Sequence, residues 1–369
     1  VGMAQDKPIE DFDQSTYDLY IAKQWHALIE KGNQALAEEK GNFYIHYRIG
    51  IAYYELKKYR KAIPYFKKAM EFNNIDPTLK EYLYYCYVYT DQFGDAEKTH
   101  FTKTKFLQMI NVEGGFKMYQ PTTIYRQTNK YPLLFQKDTL YKDNLILGGG
   151  IYHSIGTGHH LYHNVSYIYF QQRNELKYQW QYFVQGDFNL PSQWTIKPAA
   201  NFMSYNIHDP NNVVYSYPFK EYVLSLSAVK QTTAFKFECT NAYSRIADTN
   251  IIQHELGLEY FPFYNRKLSV SANIIMHGFD LYKNIHPVFI GGIKAQPVSF
   301  LEAQITYFYS KALYVSEQNG FFIYNNADRL EQRLQVLLNF NIHRRLVPYF
   351  LFNFENKYHL DPRTNNEIS

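Results

Sequence analysis

The chain has 369 residues, 46% of them apolar, and a formal charge of +4, which supplies a core and too little positive charge for a nucleic-acid binder. Mean hydropathy is −0.44, and nowhere do about 18 apolar residues follow one another, so no helix is available to cross a membrane. The 37 Tyr and 28 Phe make it unusually aromatic, while its two cysteines, Cys86 and Cys239, lack metal-ligand spacing and are expected as free or buried thiols.

The opening VGMAQDKPIE has no basic stretch followed by an apolar run, so no signal peptide is expected there; a small residue before Gln-Asp resembles the start of a mature exported protein. Residues 42 to 77 then read NFYIHYRIGIAYYELKKYRKAIPYFKKAMEFNNIDP. Gly50, Tyr53, Ala62, Phe66, Ala69 and Pro77 alternate small and large side chains as two antiparallel helices require: small residues allow approach, and Tyr53 and Phe66 fill the gap. In this the segment resembles a tetratricopeptide repeat, with His46 at the usual Trp position. A shift of 34 residues places Leu19, Leu28 and Ala35 upstream and Tyr87 and Ala96 downstream on equivalent positions. The flanking copies are degenerate, with Gly32 and His100 in place of the large Phe and Lys103 in place of the last Ala.

The predicted first domain is therefore a helical-repeat domain over 1–108. The resemblance implies that the first helix of each repeat lines a groove for a peptide or a partner helix, with Tyr17, Tyr20, Tyr44, Tyr47, Tyr54 and Tyr85 at its exposed positions. The competing reading is that several of these tyrosines pack between repeats or against the next domain. Lys57, Lys58, Arg60, Lys61, Lys67 and Lys68 form a basic surface that reads either as a solvated helix face or as one turned to anionic lipid.

After Ile110 the period falls to two. In LKYQWQYFVQG, residues 176 to 186, Leu176, Tyr178, Trp180, Tyr182 and Val184 alternate with Lys177, Gln179, Gln181 and Gln185. Similar alternation predicts strands at 109–119, 143–154, 159–171, 175–187, 193–206, 219–229, 232–244, 249–261, 266–278, 286–296, 299–310, 328–341 and 344–357. These exceed the usual five or six residues of soluble strands and match the roughly 9 to 11 that a tilted membrane strand needs. Every second connection is tight (SIGTG, NLPSQ, KQTT, PFYNRK, PVS, IHRR), whereas 120–142, 207–218 and 311–327 are long. Tight turns at one end and long loops at the other are the asymmetry of outer-membrane barrels.

The fold class is thus α plus membrane β: the helical domain, then an antiparallel transmembrane β-barrel over 109–369. Thirteen strands is an odd total, and a barrel of about 14 with its last strand absent from this chain is expected. Leu176, Tyr178, Trp180, Tyr182 and Val184 are expected to face lipid and Lys177, Gln179, Gln181 and Gln185 the lumen, which Lys236, Glu238, Glu255, Glu259, Glu331 and Arg333 also line and where mixed signs can pair across it.

Chemistry is sparse. His153 with Ser154, and His159, His160 and His163, suggest a rim hydrolase or a metal site, but alternation splits His159 from His160 and no carboxylate is near in sequence, so rim histidines are the reading taken. No cofactor, metal or catalytic residue is expected. The layout is similar to repeat-plus-barrel outer-membrane proteins, among them polysaccharide exporters and the YaiO-type family, and the Tyr-rich strands look like those of the Bacteroidetes group. That resemblance implies a non-enzymatic outer-membrane scaffold whose periplasmic repeats bind a protein partner, with outer-membrane lipid and lipopolysaccharide around the barrel; the alternative is an export pore for a polysaccharide or other cargo. The loops at 120–142 and 311–327 are expected on the outside.

Overall fold

A computed structural model describes residues 11–102, 105–117, 123–128, 131–139, 144–172, 175–208, 213–246, 248–279, 284–310, 312, 315–320, 322–323, 328–342, 347–360 and 367–368. The opening decapeptide and most of the IHRR turn lie outside them.

Six helices come first: α1 (Phe12–Ile21), α2 (Trp25–Ala37), α3 (Phe43–Glu55), α4 (Tyr59–Phe72), α5 (Pro77–Val88) and α6 (Phe93–Lys98). The starts of α1, α3 and α5 follow from side-chain caps at Asp11, Asn42 and Asp76. Asn42 Oδ1 accepts from the Ile45 N–H at 2.9 Å, and Asp76 Oδ1 from the Leu79 N–H at 2.7 Å with Pro77 at the first helical position. Leu28, Ala35, Ala62, Phe66 and Ala69 are fully buried, and Tyr87 and Ala96 nearly so, as the repeat spacing requires. Gly50 is small because Phe66 needs its place: a Cβ there would lie 2.6 Å from the ring. Gly32 admits Ile49 in the same way, which turns the degenerate first repeat into a close contact rather than a gap.

The strands are β1 (Leu107–Lys117), β2 (Thr123–Thr128), β3 (Tyr131–Thr139), β4 (Asn144–Gly156), β5 (His159–Gln172), β6 (Glu175–Leu190), β7 (Trp194–His208), β8 (Val214–Gln231) and β9 (Phe235–Ile246). They continue with β10 (Thr249–Tyr260), β11 (Leu268–Phe279), β12 (Asn284–Val298), β13 (Leu301–Tyr309), β14 (Ser316–Glu317), β15 (Phe322–Ile323), β16 (Asp328–Phe340), β17 (Tyr349–Leu360) and β18 (Glu367–Ile368). One 14-stranded antiparallel sheet runs β1-β4-β5 and onward in chain order to β13, then β16-β17-β18. Its long members coincide with the thirteen predicted strands, and the two-residue β18 pairs with β17 through His359–Ile368 and Leu360–Glu367. Among the described residues no backbone ladder joins β1 to β17, but the Tyr349 hydroxyl donates to Glu113 across that seam at 3.2 Å.

Burial follows the period of two. Trp180, Leu256, Leu258, Ile305 and Leu334 are exposed on the outer face, while Gln179, Gln181, Phe183, Asn201, Thr240, Ser244 and Gln253 are buried inside. An apolar outside around a polar inside is the inverse of a soluble barrel and requires a hydrocarbon surround. Paired rings on the outer face, Tyr167 with Trp180 at 4.9 Å and Tyr169 with Tyr178 at 5.3 Å, reinforce neighbouring strands.

Two loop expectations change. The connection predicted at 207–218 is mostly strand, because β7 runs to His208 and β8 starts at Val214. The 311–327 connection is not a free loop at its end of the barrel, because its described part turns into the lumen: Ala312 and Val315 pack with Ile275, Val288, Phe308 and Leu330, and Asn201 Nδ2 donates to the Gly320 carbonyl at 2.9 Å. Buried apolar contacts outweigh the solvation of a segment this apolar. The 120–142 connection contains the separate hairpin β2–β3.

Candidate functional site

Two surfaces carry the candidate functional residues: the aromatic face of the helices and the interior and turn end of the barrel.

On the helices, Tyr17 and Tyr44 are exposed, at 45% and 55%. Arg48 lies between them, its guanidinium 5.3 Å from each ring centre. It is itself buried and held by Asp13 Oδ1 at 2.8 Å and Thr16 Oγ1 at 3.0 Å. The two rings therefore stand on a fixed cation. Sequence reasoning missed Arg48, whose signal was its place one turn after Tyr44 on α3.

The other groove tyrosines are half-buried against one another, which corrects the expectation that all six stand exposed. Tyr47 stacks on Phe43 at 5.4 Å and Tyr54 meets Tyr82 edge-on at 4.9 Å. Tyr85 packs on Tyr84 at 5.3 Å, and Tyr20 contacts Trp25 at 6.1 Å. Burial raises the phenol pKa values of Tyr47 and Tyr54, and it pushes Tyr59, beside Tyr89, to about 12. Rings on α3 and α5 thus make a floor, from which Tyr17 and Tyr44 rise at one end.

The basic face of α4 is not a uniformly solvated one. Arg60 is buried, 3.7 Å above the Phe261 ring, and donates to Gln231 Oε1 at 3.1 Å, the Thr232 carbonyl at 3.4 Å and the Thr90 carbonyl at 3.2 Å. Burial lowers its pKa to about 10. No side chain caps α4; the Arg60 N–H instead donates to the Tyr264 carbonyl in the β10–β11 turn at 3.0 Å, and Asn265 Nδ2 donates to the Lys57 carbonyl at 2.8 Å. Arg266 bonds Asp91 at 2.7 Å, Gln193 bonds Gln92 at 2.9 Å, and Lys98 reaches the Asn189 carbonyl at 2.8 Å. Gly94 meets Gly158 and Asn189 so closely that a Cβ would collide with both. The helical domain is seated on the short-turn end of the barrel from the β4–β5 turn round to β10–β11.

The histidine cluster resolves at this seat. His160 Nε2 lies 3.2 Å from Glu97 Oε1, so α6 brings the carboxylate that sequence proximity lacked. Ser154 is the register partner of His160, but its hydroxyl accepts from Gln108 Nε2 at 2.9 Å, and both residues are buried under the helices. His153 stacks on His163 at 5.4 Å, His163 Nδ1 meets the Tyr182 hydroxyl at 2.7 Å, and His159 packs on Phe188 at 5.9 Å. Among the described residues no group of three metal-ligating side chains assembles.

Inside the barrel, Lys236 lies 3.4 Å from Glu238 and 4.0 Å from Glu259, which also accepts from Ser269 at 2.6 Å. Glu255 accepts from Asn273 at 2.6 Å, and Lys177 lies over the Tyr205 ring at 4.2 Å. Arg333 pairs with Glu317 of the inturned loop at 2.5 Å. Glu331 sits at the bulge where the β16–β17 register slips, and its carbonyl accepts from Ser310 N at 2.8 Å. Gln253 accepts from the Ser316 N–H and donates to the Ser316 carbonyl, both at 2.9 Å. The lumen is therefore occupied by paired charges toward the turns and by the loop above them.

A family model for the tetratricopeptide repeat matches residues 43–74, which are α3 and α4. No curated protein matches the chain. Among solved structures it is similar to CdiB from Acinetobacter baumannii (11% identity, 73% of this chain and 62% of that one, TM-score 0.37). It is also similar to BamA from Haemophilus ducreyi lacking POTRA domains 1-3 (7% identity, 72% and 69%, TM-score 0.32). A third is the FrpB iron transporter from Neisseria meningitidis (9% identity, TM-score 0.32), with 61% of this chain covered; the chain spans 44% of that protein's length. The chain combines a tetratricopeptide-repeat segment in an N-terminal helical domain with an antiparallel transmembrane β-barrel of the outer-membrane kind.

Proposed function

We propose that the protein is a non-enzymatic scaffold of the outer membrane, with its helical domain in the periplasm binding a protein partner. The observation that carries this reading is the Tyr17–Arg48–Tyr44 arrangement: two exposed rings fixed on a buried cation, beside a floor of packed rings. Pre-positioned aromatic side chains lose little entropy on binding and are typical anchors. The occupied lumen favours a scaffold over an export pore. Ser154 and His160 are buried, His160 in a pair with Glu97 that joins the two domains and Ser154 against Gln108 of β1, which supports a structural role for both.

Replacing Tyr17 and Tyr44 together with Ala is expected to release the protein that copurifies in mild detergent, each ring contributing about 2 kcal/mol. Circular dichroism of the double variant should stay native. A Tyr47→Ala, Tyr54→Ala variant, by contrast, should destabilise the helices by about 3 kcal/mol per site in thermal melts, because those rings are packed. Full retention of every partner by the Tyr17, Tyr44 variant would refute the groove.

Orientation is tested by impermeant maleimide on intact cells, in a Cys239→Ser background. Asp248→Cys, with 86% side-chain exposure in the long-loop-end connection after β9, should label directly. Ile75→Cys, 78% exposed on the helical domain, should label only after permeabilisation. The opposite pattern would invert the topology.

A further inference from the structure

We propose that a cleft between α4 and two barrel turns binds the phosphate of an anionic phospholipid in the leaflet on the helical-domain side. The cleft has a volume of about 220 Å³, enough for a phosphate with part of its glycerol and too small for a folded partner. One wall is a single face of α4, on which Arg60, Pro64, Lys67 and Lys68 recur at helical spacing. The opposite wall is Gln193 from the β6–β7 turn and Thr232 and Thr233 from the β8–β9 turn.

Three observations point to an anion. Arg60 is 4% exposed, and its Nη atoms donate to the barrel and to Thr90, but its Nε has no hydrogen-bond partner among the described residues. A buried guanidinium with an unused donor is costly unless an acceptor arrives. Along the cleft lining Lys67 and Lys68 join Arg60 as cations and Glu71, 2.7 Å from Lys68, is the carboxylate among them, while Asp95 beside Lys67 and Asp91 and Glu259 near Arg60 lie outside the lining. Burial has already lowered the Arg60 pKa to about 10, the cost an incoming negative charge would relieve.

The position selects a lipid rather than a dissolved phosphate ester. Trp194 directly follows Gln193 and is exposed on the outer face of the barrel. The Lys230 ammonium lies 5.2 Å over its ring and bonds the Ser192 carbonyl. Phe235, three residues after Thr232, pairs with Tyr260 at 5.1 Å. Such rings mark the headgroup level of a barrel, so the cleft adjoins the membrane interface and acyl chains can run down the wall below it.

The test uses the full chain in nanodiscs of phosphatidylcholine containing a minority of phosphatidylglycerol, with lipid adducts counted by native mass spectrometry. Wild type should retain phosphatidylglycerol over phosphatidylcholine by about tenfold, and Lys67→Gln with Lys68→Gln should abolish that preference. Lys23→Gln with Lys80→Gln, which leaves the cleft intact, should not alter it. Equal retention of the two lipids, or equal loss in both double variants, would overturn the site. Excess glycerol 3-phosphate should leave the adducts in place; displacement by it would overturn the lipid assignment in favour of a soluble ester.

Discussion

Arg60→Ala is expected to unseat the helical domain from the barrel while leaving each folded. The substitution strips donors from Gln231, Thr232 and Thr90 and removes the stack on Phe261. Buried acceptors left without partners should weaken docking by roughly 3 kcal/mol, a loss of more than a hundredfold in the docking equilibrium. Limited proteolysis of the 99–106 connection should accelerate, with the barrel still heat-modifiable on gels. Arg60→Lys should not restore docking, because a single ammonium cannot fork between α5 and the β8–β9 turn. Since the docked pKa, about 10, lies below the ordinary 12.5, the docked state holds this proton less tightly than the undocked one. Arg60 therefore contributes no pH dependence below pH 10 and relatively favours docking only as pH rises through 10 towards 12.5. Unchanged proteolysis in Arg60→Ala would show that Arg266–Asp91 and His160–Glu97 suffice.

The second large effect concerns conduction. Wild type should show almost no steady current in planar bilayers, because the loop bearing Glu317 is held in the lumen by Arg333, Gln253 and Asn201. Arg333→Ala leaves Glu317 buried without its cation, a cost of about 3 to 5 kcal/mol that should lower the temperature of heat modification and produce flickering currents. Replacing 312–323 with a short Gly-Ser linker should give steady conductance. A barrel that still does not conduct after that replacement would place the block in the Lys236–Glu238–Glu259 network. Large steady steps in the wild type would instead support the export pore.

The strands were legible because a period of two survives any loop arrangement: Leu256 and Leu258 outside and Glu255 and Glu259 inside follow from alternation alone. The middle repeat was legible because Gly50 and Phe66 are a size-matched pair within one helical hairpin. What escaped were long-range pairings. Arg60 meets Gln231 across 171 residues, and a cation on an amphipathic helix reads as solvated until the surface opposite it is known. Glu97 and His160 are unremarkable apart and a buried pair together. The inturned loop was read by its length, as outer-membrane loops invite, whereas Ala312, Val315 and Ser316 are small enough to enter a barrel. Tyr47 and Tyr54 were read as a binding surface because aromatic side chains serve cores and interfaces alike.

The seat of the helical domain implies an order of assembly. Its helices contact neighbours within a few tens of residues and can form as soon as the N-terminal third of the chain is available. The turns that receive them, from Gly158 to Arg266, come together only after β4 to β11 have paired and curved into place. A helical domain that finds Thr232, Tyr264 and Gly158 at the right separations thereby reports a correctly registered barrel: a one-residue slip in any strand between them would displace at least one of these contacts. The register of the barrel is in this way read out by the docking of the helices, and undocked helices would be the accessible sign of a misassembled barrel.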